Sequence, residues 1–285
     1  MEAGVIKFLS YLANMMDLPQ LKEKAKEIRR KTFEMVINAG KGHLGGSLSI
    51  VETLVTLYYG GILRFDPKNP KWEGRDIFIL SKGHANNSLY VILADLGFFP
   101  TTELANFSKN GSILGQHCDT QVPGIEFITG SLGHGLGVGS GIAFGNKLDG
   151  KNNLVFVILG DGECQEGSVW EAAMFAGHHG LGNLVAILDR NRLGSEDFVE
   201  NTCRLEPLPE KWRDFGWEVK AIDGHSFAEI FSALEDCRNP QRTRPLMIIS
   251  NTIKGKGLSC LENLPRAHHT LPKGEEIEIS RKELV

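Results

Sequence analysis

The feature that most constrains this chain is a pair of apolar runs, each ending in a side chain that carries a free oxygen. Leu154-Val155-Phe156-Val157-Ile158-Leu159 leads into Gly160-Asp161-Gly162, and Leu184-Val185-Ala186-Ile187-Leu188-Asp189 leads into Arg190-Asn191, with Asn191 thirty positions after Asp161. Unbroken aliphatic and β-branched runs of this length read as strands buried on both faces, the pattern of a parallel sheet. The intervening stretch Glu166 to His179 is rich in helix formers and is followed by Gly180 and Gly182, so the unit reads β-α-β. Asp161 and Asn191 then fall at the carboxyl ends of two parallel strands, where doubly wound folds place ligands. Hard oxygen ligands suit Mg²⁺, or another divalent cation such as Ca²⁺ or Mn²⁺, which leaves coordination positions for phosphate oxygens. Gly162 and the start of the helix offer backbone N–H groups and a positive dipole end to the same anion. The segment predicts a metal–diphosphate site.

Composition narrows the class without naming it. A chain of 285 residues is long enough for one large α/β domain, residues 1–285, at the length where splitting into two begins. A formal net charge of −4 gives no electrostatic reason to expect nucleic acid or a membrane as partner. The amino terminus lacks the basic, apolar and cleavage regions of a signal peptide, and no apolar run has bilayer-spanning length. Five cysteines (Cys118, Cys164, Cys203, Cys237 and Cys260) form no CxxC pair and are odd in number. They read as reduced thiols of a cytoplasmic protein.

Further strands are expected at Arg75–Leu80, Gly216–Ile222 and Pro245–Ser250. Helices are expected over Ile6 to Met16 and Leu21 to Ala39, a helical arm of about residues 1–40. Others are expected over Ser47–Tyr59, Asn86–Leu96, Leu136–Leu148 and Ser226–Cys237. Alternation of this kind predicts a three-layer α/β fold: a parallel sheet with helices on both faces. The tail, about residues 273–285, is expected to be mobile or to dock on a partner.

Four histidines sit in glycine-bearing segments between elements: His43 in KGHLGGS, His84 in SKGHA, His117 in LGQHCD and His268 in NLPRAHHTLP. Singly, each reads as structural or surface; together they suggest a polar cluster whose near-neutral imidazoles can hold and pass protons. The segment TGSLGHGLG (129–137) is glycine-dense but matches neither GxGxxG nor GxxxxGK[ST]. Its glycines allow either close approach to a flat ring or tight helix packing through Gly137, Gly139 and Gly141, and the two are compatible. Lys254 and Lys256 in NTIKGKG reach an anion or are solvated loop charges. The adjacent His178-His179 pair is not at a zinc-ligand spacing on a helix.

The string GDGECQEGSVWEA, with its downstream asparagine, resembles the thiamine-diphosphate signature of transketolases, and the likeness runs from about residue 20 to 272. It implies Asp161 and Asn191 as Mg²⁺ ligands by side chain and Leu193 by its backbone carbonyl. It implies His84 and His268 as contacts to the diphosphate, and Gly130, Ser131 and Leu132 as contacts to the thiamine rings. By the same resemblance His43, His117 and His268 line the sugar channel as catalytic groups. Glu166 is either the carboxylate that this family places at a subunit interface beside the cofactor or a favourable charge in a first helical turn. Three positions depart from the family's habit: Cys118 where proline is common, His269 where glycine is common, and the Gly194-Ser195-Glu196-Asp197 run. These bear on sugar specificity rather than on the cofactor.

The resemblance covers only the amino-terminal part of a transketolase. It implies the first subunit of a split enzyme, a transferase of two-carbon ketol units between sugars or sugar phosphates. Such a chain needs a carboxy-terminal subunit with the pyrimidine-binding domain, expected as a two-plus-two heterotetramer. Two rivals remain: the α chain of a 2-oxoacid dehydrogenase, and a non-catalytic binding subunit that keeps the fold without turnover.

Overall fold

The computed structural model describes residues 15–285, so the helix expected over Ile6 to Met16 lies, but for its end, outside the described residues. Five strands form a single parallel sheet: β1 (Ile77–Leu80), β2 (Val155–Gly160), β3 (Leu184–Arg190), β4 (Glu218–Asp223) and β5 (Leu246–Asn251), in the spatial order β1-β2-β3-β5-β4. Each matches an expected run to within two residues.

The continuous apolar runs are explained by the two faces. Along β2, Phe156 and Ile158 enter one core while Val155, Val157 and Leu159 enter the other. The same alternation holds in β3, with Val185 and Ile187 opposed to Leu184, Ala186 and Leu188. Parallel register sets Phe156 beside Val185 and Ile187 beside Ile248, so like faces align across the sheet. Only β4, at the edge, is largely half-exposed.

The first face is covered by α1 (Leu18–Ala39), α2 (Leu44–Leu48), α3 (Val51–Tyr59), α4 (Asn86–Asp95) and, further along the chain, Phe227–Leu234. The stretch expected as one helix from Ser47 is two, broken at Ser49-Ile50. Helix α1 starts in a capping box between Asp17 and Gln20 and stops at Gly40, whose φ of 64° is left-handed. The second face carries α5 (Gly135–Leu148), α6 (Gly167–His178), the short α7 (Val199–Thr202) and α8 (Leu208–Asp214). Helix α5 lies hard against β2 through Gly139: a Cβ there would stand 2.5 Å from Val157. Of the three glycines expected to pack, Gly141 meets nothing.

The Phe227–Leu234 helix is α9, and α10 (Glu275–Glu283) ends the chain. The 273–285 tail, expected to be mobile or to dock on a partner, contains a helix seated on its own domain. Arg281 pairs with Glu34 at 2.8 Å, Ser280 is buried, and Leu284 joins the first core. Its apolar residues are too sparse to announce this from sequence. Among the described residues no helix is long and apolar enough to cross a membrane.

Candidate active site

Every polar group of interest leaves the carboxyl end of a strand or a loop folded over it. Gly160 of β2 lies beside Asp189 of β3, so Asp161 and Asn191 start neighbouring loops. Asp161 is 3% exposed; its Oδ1 accepts from Gly162 N at 2.8 Å and its Oδ2 from Arg192 N. No ion pair at Asp161 accompanies these amides among the described residues. Burial, then the negative charge of Asp189, pushes its carboxyl up to about 6. Asn191 accepts from Leu193 N at 3.0 Å and donates to Asp189 at 2.9 Å, which leaves its oxygen a second lone pair.

Asp189 is the contrasting carboxylate. It is 1% exposed and takes an ion pair from the buried Lys82 and hydrogen bonds from the Ser49 and Thr252 hydroxyls. Burial alone would raise it, but Lys82 and these donors outweigh that and hold it below the usual range. Lys254, also buried, reaches the carbonyls of Leu193 at 3.4 Å and Gly194 at 2.5 Å and Nδ1 of His268 at 3.3 Å. Burial, then the neighbouring Lys82, lowers its ammonium to about 8. The two carbonyls therefore already face a cation. Lys254 is thus buried rather than a solvated loop charge, whereas Lys256 pairs with Glu262 at 3.5 Å in a half-exposed loop.

A divalent ion fits this donor set. Among the described residues one buried carboxylate has no ion pair, an amide oxygen has a free lone pair, and a carbonyl turns inward: a small set of hard oxygens of the kind Mg²⁺ accepts beside water and phosphate.

The histidines converge as expected, and one more joins them. The ring of His43, just before α2, lies 5.5 Å from His84, 5.8 Å from His117, 5.5 Å from His268 and 5.6 Å from His269. His84 and His268 are 4.8 Å apart. Burial, then His117, His269 and Lys254, lowers His43 to about 4; burial, then Lys254, lowers His268 to about 3. Burial also lowers His117, and burial with Lys82 lowers His84. His43, His84, His117 and His268 are neutral imidazoles near pH 7, fit to hydrogen-bond hydroxyls and exchange protons with them.

Gly130 and Ser131 are exposed and Leu132 half-buried on the rim; Gly130 has a φ of 156° and lies against the His117 ring. Glu166 does not join the cluster within this chain and is exposed at the start of α6. The 3₁₀ turn Gly162–Gln165 instead turns Glu163 inward, where its carboxylate accepts from Ser81 Oγ, Gly133 N at 2.9 Å and Gly160 N at 3.1 Å. Glu163, Asp189 and Lys82 were missed in the sequence, although LDRN and SKGH place the last two at strand ends beside the motifs. Cys118 is buried, its thiol pushed up to about 12 by burial. Gly194 donates to Asp197 O at 2.8 Å in a tight loop.

Strand ends that offer hard oxygens beneath a ring of imidazoles define a class, the thiamine-diphosphate-binding α/β domains. Residues 21–285 match the model of the transketolase thiamine diphosphate binding domain. The chain belongs to the transketolase family, as an amino-terminal, thiamine-diphosphate-binding subunit. It is 44% identical over 250 residues to the 6-deoxy-6-sulfo-D-fructose transketolase subunit SqwG of Clostridium sp. (strain MSTE9), covering 87% of this chain and 90% of that one. It is 39% identical to an apulose-4-phosphate transketolase subunit from Phocaeicola vulgatus, with coverages of 94% and 95%. The transketolase structure from Campylobacter jejuni superposes with a TM-score of 0.87 at 33% identity, covering 94% of this chain but 43% of that one. The chain thus spans less than half of that transketolase and nearly all of relatives named as single subunits. This sets aside the 2-oxoacid dehydrogenase alternative.

Proposed function

We propose that this chain is the cofactor-anchoring subunit of a cytoplasmic two-chain transketolase, which moves a two-carbon ketol unit from a ketose to an aldose acceptor. One observation carries the reading: Asp161 is buried beside Asn191 at adjacent strand ends with backbone amides as its partners and its carboxyl raised to about 6. Such a carboxylate calls for a cation. Mg²⁺ would be held by Asp161, Asn191 and the Leu193 carbonyl, and the diphosphate by His84, His268 and Lys254, with Gly162 beside it. Gly130, Ser131 and Leu132 would border the ring system. Bound thiamine diphosphate supplies the carbon centre that accepts the two-carbon unit and holds its charge.

The chain's own residues bind, orient and move protons. His43, His117 and His268, being neutral, accept and return hydroxyl protons of the sugar as bonds at the neighbouring carbons break and form. Lys82 keeps Asp189 ionised, and Asp189 in turn orients Asn191. The exposed Glu166 and rim faces would meet a carboxy-terminal subunit bearing the pyrimidine-binding domain, in a two-plus-two assembly. Names of relatives that act on a sulfosugar and on a sugar phosphate favour an anionic sugar in carbohydrate metabolism.

Thermal unfolding of the chain with thiamine diphosphate and Mg²⁺ tests the anchoring step. At a hundred times the dissociation constant the ligand should add about 2.7 kcal/mol. No stabilisation, or stabilisation unaffected by chelation, refutes it. Ketol transfer by the chain mixed with its partner, dependent on added thiamine diphosphate, tests the whole; a complex that binds without turnover would favour the non-catalytic subunit.

A further inference from the structure

Four imidazoles surround His43, and one of them, His269, is exposed and has no part in the function proposed above. One ring nitrogen from each of His43, His268 and His269 lies within 4.8 Å of the other two. Backbone contacts fix this meeting. Gly255 N donates to Gly45 O at 2.9 Å, and a Cβ on Gly45 would stand 2.4 Å from the Ala267 carbonyl oxygen. The segment bearing His268 and His269 is therefore pressed onto the segment bearing His43. Nδ1 of His43 is, in addition, buried without a hydrogen-bond partner.

We propose that His43, His268 and His269 form a three-imidazole site for a divalent transition metal ion of the Zn²⁺ class, distinct from the oxygen-lined site at Asp161 and Asn191. Nitrogen ligands favour Zn²⁺ over Mg²⁺, and oxygens the reverse, so the two ions sort themselves between neighbouring sites. Ligand bonds of about 2.1 Å place tetrahedral nitrogens roughly 3.4 Å apart. The rings must draw together, and the exposed His269 side chain has the freedom to do so. Three protein ligands leave the fourth position open to water or a hydroxyl. His268 meets Lys254 through Nδ1. On the function proposed above, the bound ion blocks the channel to the donor sugar and makes access metal-dependent.

Cobalt titration of the isolated chain tests the site without any turnover, so a failed ketol-transfer assay leaves the outcome readable. Four-coordinate Co²⁺ on nitrogen should give the intense visible absorption that six-coordinate Co²⁺ on oxygen lacks, and one equivalent of Zn²⁺ should abolish it. His269→Ala, at an exposed position, should melt like the wild type and bind Zn²⁺ about 100-fold more weakly. His179→Ala, at the pair outside the cluster, should bind as the wild type does. A weak six-coordinate spectrum, or unchanged Zn²⁺ affinity in His269→Ala, overturns the proposal.

Discussion

Two buried carboxylates in this protein, Glu52 and Asp161, are equally hidden and have opposite fates. Glu52 is 6% exposed and receives both the Arg29 guanidinium at 2.6 Å and Nδ1 of His225 at 3.1 Å. Burial raises it, but Arg29 and His225 prevail and its carboxyl is lowered. Asp161 is 3% exposed and receives backbone amides instead, so burial and Asp189 prevail and its carboxyl rises to about 6. A buried charge needs a partner. At Glu52 the chain supplies that partner from α1 and from the loop after β4. At Asp161 it supplies only the backbone amides of Gly162 and Arg192 among the described residues. The first carboxylate secures helices to the sheet, and the second, on the function proposed here, is the one an ion would complete.

The comparison breaks first at Asp161→Asn. Activity of the reconstituted complex should fall by about a thousandfold or more, some 4 kcal/mol in the barrier, because the metal would lose its one anionic protein ligand. The metal-free chain should be no less stable at neutral pH. A raised carboxyl costs the folded state nothing below about pH 4 and its full penalty above about pH 6, so any gain in stability should be larger at pH 8 than at pH 5. Urea unfolding of metal-free protein at both values checks this; a large loss at pH 8 would mean that Asp161 is structural. Arg29→Met should do the reverse. Leaving Glu52 buried without its guanidinium should cost about 3 kcal/mol, whereas Mg²⁺ binding per folded molecule, read by calorimetry, should not move.

The legibility of these two places in the sequence differs for the same reason. Asp161 and Asn191 are announced by local order: an apolar run, a glycine turn and a fixed spacing, all within one β-α-β unit. The strands were equally legible, since burial on both faces makes their runs continuous. Glu52, Arg29 and His225 come from α3, α1 and the loop after β4, and nothing local marks them as partners. Lys82 and Asp189 were written at strand ends, yet their ion pair spans 107 positions and needs the sheet order to be seen. Glu163 and Glu166 show the limit at shortest range. Both carboxylates follow Asp161 closely, and only the 3₁₀ turn decides that Glu163 points in and Glu166 out.

The smallest expected effect sharpens the comparison on the outer helices. Asp95, at the end of α4, accepts from Lys31 at 2.9 Å, Lys24 at 3.1 Å and Tyr59 Oη at 2.7 Å. Burial raises its carboxyl, but Lys31, Tyr59 and Lys24 together hold it below the usual carboxylate range. A depressed carboxyl contributes stability that is present above its unfolded value, about pH 4, and is lost as pH falls through the lower folded value. Asp95→Asn should therefore cost about 1–2 kcal/mol at pH 7, with the gap to wild type closing in acid. Its sign is opposite to that at Asp161, where the wild-type carboxylate is the less stable choice at high pH without metal. Melting curves of Asp95→Asn and Asp161→Asn at pH 3.5, 5 and 8 should diverge in opposite directions as pH rises. Parallel curves would mean that the two carboxylates are held alike, and that the amides around Asp161 suffice without an ion.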